Sequence, residues 1–265
     1  MNSTMNHYFT IHLAQKAFEY AHKFAAQQAS AEKARQVYLN TLAVSAVNEF
    51  VQEELGFSTD LQAGDSWNPV VRLVHDVADL VIPDLGILEC RPMQPEDRII
   101  SLPPEVRENR IVYVAVQFYE QLNKVKLRGF LPAVELGKYP EEIEISQLQP
   151  IEELIDYLYR LETAISILLP EIEEVEENVR KILQRKSIAE IAAQLELVYR
   201  TYDQSDWWNE GGKVLAGSSS GAGGSTRESG LKGGFTRDVS DVEVELRDLA
   251  EELLEKLAEF WGDAA

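Results

Sequence analysis

The chain has a single cysteine, Cys90, among its 265 residues, so no intrachain disulfide or thiolate zinc site can form, and a reducing compartment fits. No apolar run approaches the ~18 residues a membrane-crossing helix needs, and residues 1–10 are polar without the basic start of a signal peptide. A cytoplasmic setting without a membrane partner is the expectation. Positive charge is scarce as well. Lys plus Arg total 25 against 45 Asp plus Glu, a formal net charge of -20, which repels nucleic-acid phosphates and anionic lipid. Direct nucleic-acid binding would need a local basic patch. The densest stretch is Lys124, Lys126 and Arg128, spaced to share one strand face, with Glu120, Glu135 and Glu141 close in sequence; it reads as a solvated face.

Signatures of chemistry are missing too. No Walker loop, dinucleotide-binding glycine pattern, zincin HExxH, nucleophile elbow or EF-hand loop occurs. No catalytic residue, metal ligand or cofactor is assigned. His75 and Asp79 stand at i, i+4 spacing with Asp76 beside them, but two ligands do not make a site and the segment reads partly as strand. His7, His12 and His22 read as surface or packing residues, and Cys90 as a small buried hydrophobe.

What is present suffices for a core: 45% of residues are hydrophobic and 9% aromatic. After Thr10, a candidate N-cap, residues 13–28 place Leu13, Ala17, Phe18, Ala21, Phe24 and Ala25 on one helical stripe. A second helix is predicted from Ser30, carrying Val37, Tyr38, Leu42, Val47, Phe50 and Val51 and stopping near Gly56. From Trp67 the apolar residues become β-branched and clustered, at 70–71, 78–82 and 87–90, which predicts strands. IVYVAVQF (111–118) and the strictly alternating KVKLRGFL (124–131) read as adjacent antiparallel strands.

Helical periodicity returns at Pro150, with Ile151, Leu154, Ile155, Leu158 and Leu161 on one face. Pro170 is expected to open a new acidic helix, and Ser187 to cap another containing Ile191, Leu195 and Val198. The aromatic pair Trp207 and Trp208 ends this region. The fold class is therefore α+β, helices at both ends around a small, mainly antiparallel sheet. Residues 1–208 form the expected core domain and 209–238 a Gly/Ser-rich linker, too poor in apolar residues to fold. Residues 239–265 form an acidic amphipathic helix.

In that last helix Ser240 and Glu243 make a capping-box pattern with Val239 placed as staple. Val242, Leu246, Leu249, Leu253, Leu257 and Phe260 form a seam, which Leu254 and Trp261 widen, and ten acidic side chains fall between residues 238 and 263. An apolar seam of this kind requires a groove. The expected function is a non-catalytic adaptor that holds such a helix, with Val242, Leu246, Leu249, Leu253, Leu257, Phe260 and Trp261 as anchors. Candidate groove walls are Phe18, Phe24, Tyr38, Leu42, Phe50, Trp207 and Trp208, each of which is equally readable as core. Two alternatives stay open: an enzyme subunit that binds a precursor's leader helix, and an oligomerisation module pairing through the last helix.

Three stretches carry a family resemblance: KARQVYLNTLAVSAVNEFVQEELGF (33–57), VADLVIPDLGILECRPM (77–93) and LPPEVRENRIVYVAVQF (102–118). Over roughly residues 8–160 the chain resembles the cyanobacterial domain-of-unknown-function family 1822 (DUF1822). The resemblance implies a cyanobacterial cytosolic protein with no assigned active residues, and a regulatory role through gene neighbours resembling sigma factors and signalling proteases. Longer members of the family continue into a β-rich region, whereas this chain turns helical. That departure, with the GSSSGAGGST stretch, leads to the expectation that the last helix is a partner's segment joined by an engineered or natural linker.

Overall fold

A computed structural model describes residues 9–119, 122–136, 140–174, 177–183, 186–201 and 239–262. The chain divides into two compact units, Met1–Tyr159 and Arg160–Ala265. The boundary falls inside a helix, upstream of the 208/209 junction that composition suggests.

The first described element is a strand, β1 (Phe9–His12), followed by helices α1 (Gln15–Ala25) and α2 (Ala31–Glu53). Thr10 is therefore not a helix cap; it lies in β1, opposite Lys126, because pairing with a distant strand overrides a local capping signal. Ser30 does cap α2, its hydroxyl accepting from the Lys33 N–H at 3.1 Å. Past the end of α2, Gly56 takes φ +78, as expected of a residue terminating a helix.

Helix α2 buries residues on nearly every side, including the run 40–44. This is the pattern of a helix with packed neighbours all round, and α2 does pack on α1 and on the sheet. Val70 and Val71, expected in a strand, belong instead to the short helix α3 (Pro69–Val74). Asn68 accepts from the Val70 N–H at 2.9 Å, and proline at the first helical position presets the turn.

The sheet continues with β2 (Asp79–Ile82), β3 (Gly86–Met93), β5 (Val112–Phe118) and β6 (Lys124–Pro132). Its order is β1-β6-β5-β3-β2. The expected β5/β6 antiparallel pair is present, but β3 and β5 run parallel, so the sheet is mixed and not simply a small antiparallel one. Parallel neighbours need a crossover, and here it contains the strand β4 (Ile99–Ser101) and a 3-10 turn, Pro104–Val106. Strand β4 pairs with β7 (Glu142–Glu144). Ile100, Leu102, Val106 and Ile143 from this region pack with Met93, Tyr113, Ala115 and Leu131 of the main sheet. The Tyr113 hydroxyl donates to the Val106 carbonyl at 2.8 Å, and burial pushes its pKa up to about 12.

Charged groups are folded into this unit. Glu89 of β3 has no solvent exposure. It accepts from Arg110 Nε at 3.1 Å, Arg91 at 3.3 Å and the Ala78 N–H at 2.9 Å. Burial pushes its carboxyl above the ordinary value, opposed by Arg110 and Arg91. Arg91 also forks onto Asp76, at 2.9 and 3.2 Å, and Asn40 of α2 donates to Asp76 and to the Val77 carbonyl. Burial would raise the Asp76 pKa, but the bonds and charge from Arg91 and the Asn40 amide win and lower it. Cys90 is fully buried, and desolvation pushes its thiol well up, consistent with a packing role.

Within β6, Gly129 has φ +149, and an added Cβ would sit 2.4 Å from the Gln149 carbonyl oxygen. That close approach allows Phe130 and Gln149 to exchange backbone bonds of 3.1 and 2.8 Å.

Beyond Pro150 come α4 (Leu154–Glu174), α5 (Glu177–Leu183), α6 (Ile188–Thr201) and, after the undescribed stretch 202–238, α7 (Val239–Gly262). Pro170 does not open a helix; it lies inside α4. The buried stripe Leu161, Ala164, Ile165 and Leu168 fixes that helix up to the proline, and the next turn continues with one backbone donor fewer.

Two substitutions test the first unit. Glu89→Ala leaves the buried Arg110 guanidinium without its carboxylate partner and Arg91 with Asp76 alone, and is expected to lower stability by about 3–5 kcal/mol in urea denaturation. Gly129→Ala must move the Gln149 backbone or leave its dihedral region, and is expected to cost on the order of 1–3 kcal/mol by the same assay.

Candidate functional site

The apolar seam of the last helix is a property of residue spacing, and its packing lies within the second unit, Arg160–Ala265. Helix α7 packs on α5 and α6. Leu246, Leu253 and Leu257 are buried, together with Ala250, Leu254 and Trp261. Leu249 is half-buried. Phe260, at 58% exposure, is left outside the contact. The helix begins at Val239, one residue before the expected cap Ser240; the side chains of Val242 and of the rest of the first turn lie outside the described residues.

The surface beneath is built by α5 and α6. Ser187 and Glu190 form a reciprocal capping box at the start of α6: the Glu190 N–H donates to the Ser187 hydroxyl at 3.1 Å and the Ser187 N–H to the Glu190 carboxylate at 2.9 Å. The cap fixes where α6 starts and hence its buried face, Ile191, Ala192, Leu195 and Val198. Helix α5 adds Val179 and Leu183. Tyr199 of α6 meets Trp261 edge-on, with ring centroids 4.9 Å apart, a favoured aromatic geometry. Lys256 of α7 bonds Glu171 of α4 and also lies 3.1 Å from Glu252, one turn back on its own helix. These two carboxylates hold the Lys256 pKa up.

One charged cluster lies inside this helical unit. Glu196 of α6 is fully buried, with Arg200 at 2.7 Å and Arg160 at 3.3 Å. Desolvation raises its pKa against the pull of both guanidinium groups. Its Oε2, like the buried indole Nε1 of Trp261, has no hydrogen-bond partner among the described residues.

The candidate groove walls from the early helices belong to the first unit. Leu42, Phe50 and Phe24 are buried inside the first unit. Phe50 packs against Phe9 at 5.0 Å, and Phe24 lies under the Arg72 guanidinium at 3.7 Å and edge-on to Trp67. Phe18 and Tyr38 are half-buried, Tyr38 beside His22 at 5.0 Å. Trp207 and Trp208 lie outside the described residues. Between α1 and α2 there is a cleft of ≈ 380 Å³ with mixed polar and apolar walls, among them Lys16, Tyr20, Asn48, Glu49, Gln52 and Trp67.

The His75, Asp76 and Asp79 spacing likewise resolves into three separate roles. The His75 carbonyl accepts from Lys33, Asp76 pairs with Arg91, and Asp79 turns inward to accept from the backbone of Asp65 and Ser66. Among the described residues, no three His, Cys, Asp or Glu side chains gather as metal ligands would, and no helix is long and apolar enough to cross a membrane.

Residue spacing missed Tyr199, Lys256 and the pair Glu196/Arg200. Glu196 and Arg200 stand at i, i+4 on the predicted helix, a signal usually read as a solvent-exposed pair. Only packing places Glu196 inside.

Leu253→Ala, at a fully buried position, is expected to cost about 2–5 kcal/mol. Phe260→Ala, on the exposed side of the same helix, is expected to stay within about 0.5 kcal/mol. Paired thermal melts followed by circular dichroism check the contrast.

A model of the family described as Protein of unknown function (DUF1822) matches residues 11–251. The match extends past the 8–160 stretch that carries the sequence resemblance and ends inside α7. No curated protein and no solved structure matches the chain.

Proposed function

The chain belongs to the DUF1822 family, and we propose that this member is a non-catalytic protein-binding adaptor whose helical unit accepts an acidic amphipathic helix in an apolar groove. The observation that carries the reading is the burial of Leu246, Leu253, Leu254, Leu257 and Trp261 on α5 and α6, by a helix that reaches them through a Gly/Ser-rich stretch. In this reading α7 is the resident occupant, and partner helices with the same seam compete for its place. Lys256 is the one cation in the last three turns of a helix otherwise rich in Glu and Asp, and its bond to a carboxylate on α4 adds a polar contact beside the apolar anchors. Helix-in-groove recognition works through a few anchors at i, i+3 and i+4 spacing, and the buried positions of α7 have that spacing. The family match, running into α7, supports treating the helix and its groove as one device. The regulatory role and the cytosolic setting implied by the sequence resemblance belong to the same proposal.

The test is to place a protease site between residues 217 and 225 of the full chain and cut it. The C-terminal piece is expected to co-elute with the remainder in size-exclusion chromatography and to be displaced by a synthetic peptide of residues 239–265. The same peptide carrying Leu253→Ala should bind at least about thirtyfold more weakly. Loss of the remainder's helical signal as the piece leaves would sink the proposal, since α7 would then be an ordinary last helix of the unit.

A further inference from the structure

Helix α2 buries residues on nearly every side, yet its second half carries one polar line, Ser45, Asn48, Glu49, Gln52 and Glu53, at the three- and four-residue spacing of a single helix face. All five line the ≈ 380 Å³ cleft between α1 and α2. Ala14, just before α1, and Ala17 within it also line the cleft, and their single methyl groups leave the space open. The polar line is held in place by its own bonds. The Asn48 amide donates to Gln52 Oε1 at 3.2 Å, the Gln52 amide to the Thr59 hydroxyl at 2.8 Å, and that hydroxyl to Asn48 Oδ1 at 2.6 Å. This ring uses one N–H of each amide and leaves each a second. Ser45 donates its hydroxyl to the Thr41 carbonyl at 2.8 Å and keeps its oxygen to accept. Burial and Glu53, one turn on, push the Glu49 carboxyl above its ordinary value, opposed by the charge of His12; hydroxyl donors from a ligand favour its charged form.

Two aromatic rings complete the walls. Tyr20 and Trp67 meet edge to face with centroids 6.1 Å apart, and Phe24 braces Trp67 edge-on at 5.5 Å. Both cleft rings are half-buried, so each keeps surface for a ligand. Lys16 rests its ammonium over Tyr20 at 5.7 Å, which leaves Trp67 as the platform. The cleft thus offers donors, acceptors and both signs of charge around an apolar ring. A compact anion there meets Glu49 and Glu53, and a compact cation meets Lys16. A neutral polyhydroxylated molecule avoids both penalties: each of its hydroxyls donates and accepts, and the C–H face of a sugar packs on an aromatic ring. We infer that this cleft binds a neutral carbohydrate, one sugar ring lying on Trp67 and its hydroxyls bonded to Asn48, Glu49 and Gln52. The volume, at the lower end of the roughly 300–1,000 Å³ of small-molecule sites, limits the ligand to one or two sugar rings. The cleft lies in the first unit and does not depend on the helix-binding reading.

The test is calorimetric titration of the full chain with maltose, cellobiose, lactose and N,N′-diacetylchitobiose, beside putrescine and glutamate as charged probes. Saturable 1:1 binding of at least one disaccharide is expected, with Kd on the order of 1 mM or tighter and tighter than that of either charged probe. Trp67→Ala should weaken it about tenfold or more by removing the platform. Gln52→Ala and Glu49→Gln should each weaken it about threefold to tenfold, the loss of one hydrogen bond. Lys23→Gln, on the exposed side of α1 and outside the cleft, should leave it unchanged. Titrations that saturate with none of the disaccharides, tighter binding of a charged probe, or undiminished affinity in Gln52→Ala would overturn the inference. Gln52→Ala, at an exposed position, decides the matter if Trp67→Ala melts early.

Discussion

Glu89 sits on β3 with no access to water, and the first unit is organised around keeping its charge matched. Taking a carboxylate out of water costs several kcal/mol even after relaxation, so its partners must be held in place. Arg110 comes from the end of the β3-to-β5 crossover, Arg91 from the same strand, and the Ala78 N–H from the approach to β2. Arg91 then binds Asp76, and Asp76 binds Asn40 of α2. One buried charge thus ties together a helix, a central strand and both of that strand's connections. A sheet with a parallel pair needs its crossover fixed over the face, and this network, with the Tyr113 hydroxyl on the Val106 carbonyl, fixes both ends of it.

The second unit solves a related problem with different parts. Its helices bury a nearly continuous apolar surface, and Glu196 is the charge inside, held by Arg160 and Arg200. Helix α7 closes that surface. Its seam lies on α5 and α6, its acidic side faces outward, and Lys256 reaches a carboxylate on α4. The proposed recognition of acidic helices rests on this arrangement, in which most of the apolar anchors are covered while Phe260 is not.

Local signals survived folding where neighbours agreed with them. The caps at Ser30 and Ser187, the terminating Gly56, the β5/β6 pair and the buried state of Cys90 were all readable from spacing and residue type. The misreadings share a cause. Thr10 looked like a cap because its strand partner lies more than a hundred residues away. Val70 and Val71 looked like a strand because β-branched residues usually favour one, whereas Asn68 and Pro69 had already set a helical turn. Apart from those misreadings, Phe24, Leu42 and Phe50, readable as groove wall or as core, are buried in the first unit, since apolar character alone does not say what covers it.

By itself the sequence determined the longer helices and the β5/β6 strand pair, that the last helix carries an apolar seam, and that no familiar catalytic signature is present. Those properties live in spacings of two, three and four residues and in the special dihedrals of glycine and proline, which are local. Tertiary structure decided that the sheet is mixed, that Glu89 and Glu196 are buried, that the last helix lies on α5 and α6, and that a polar line of α2 shares a cleft with Tyr20 and Trp67. Each of these joins residues remote in the chain or depends on the register between strands, and one chain's local periodicity carries no information about either.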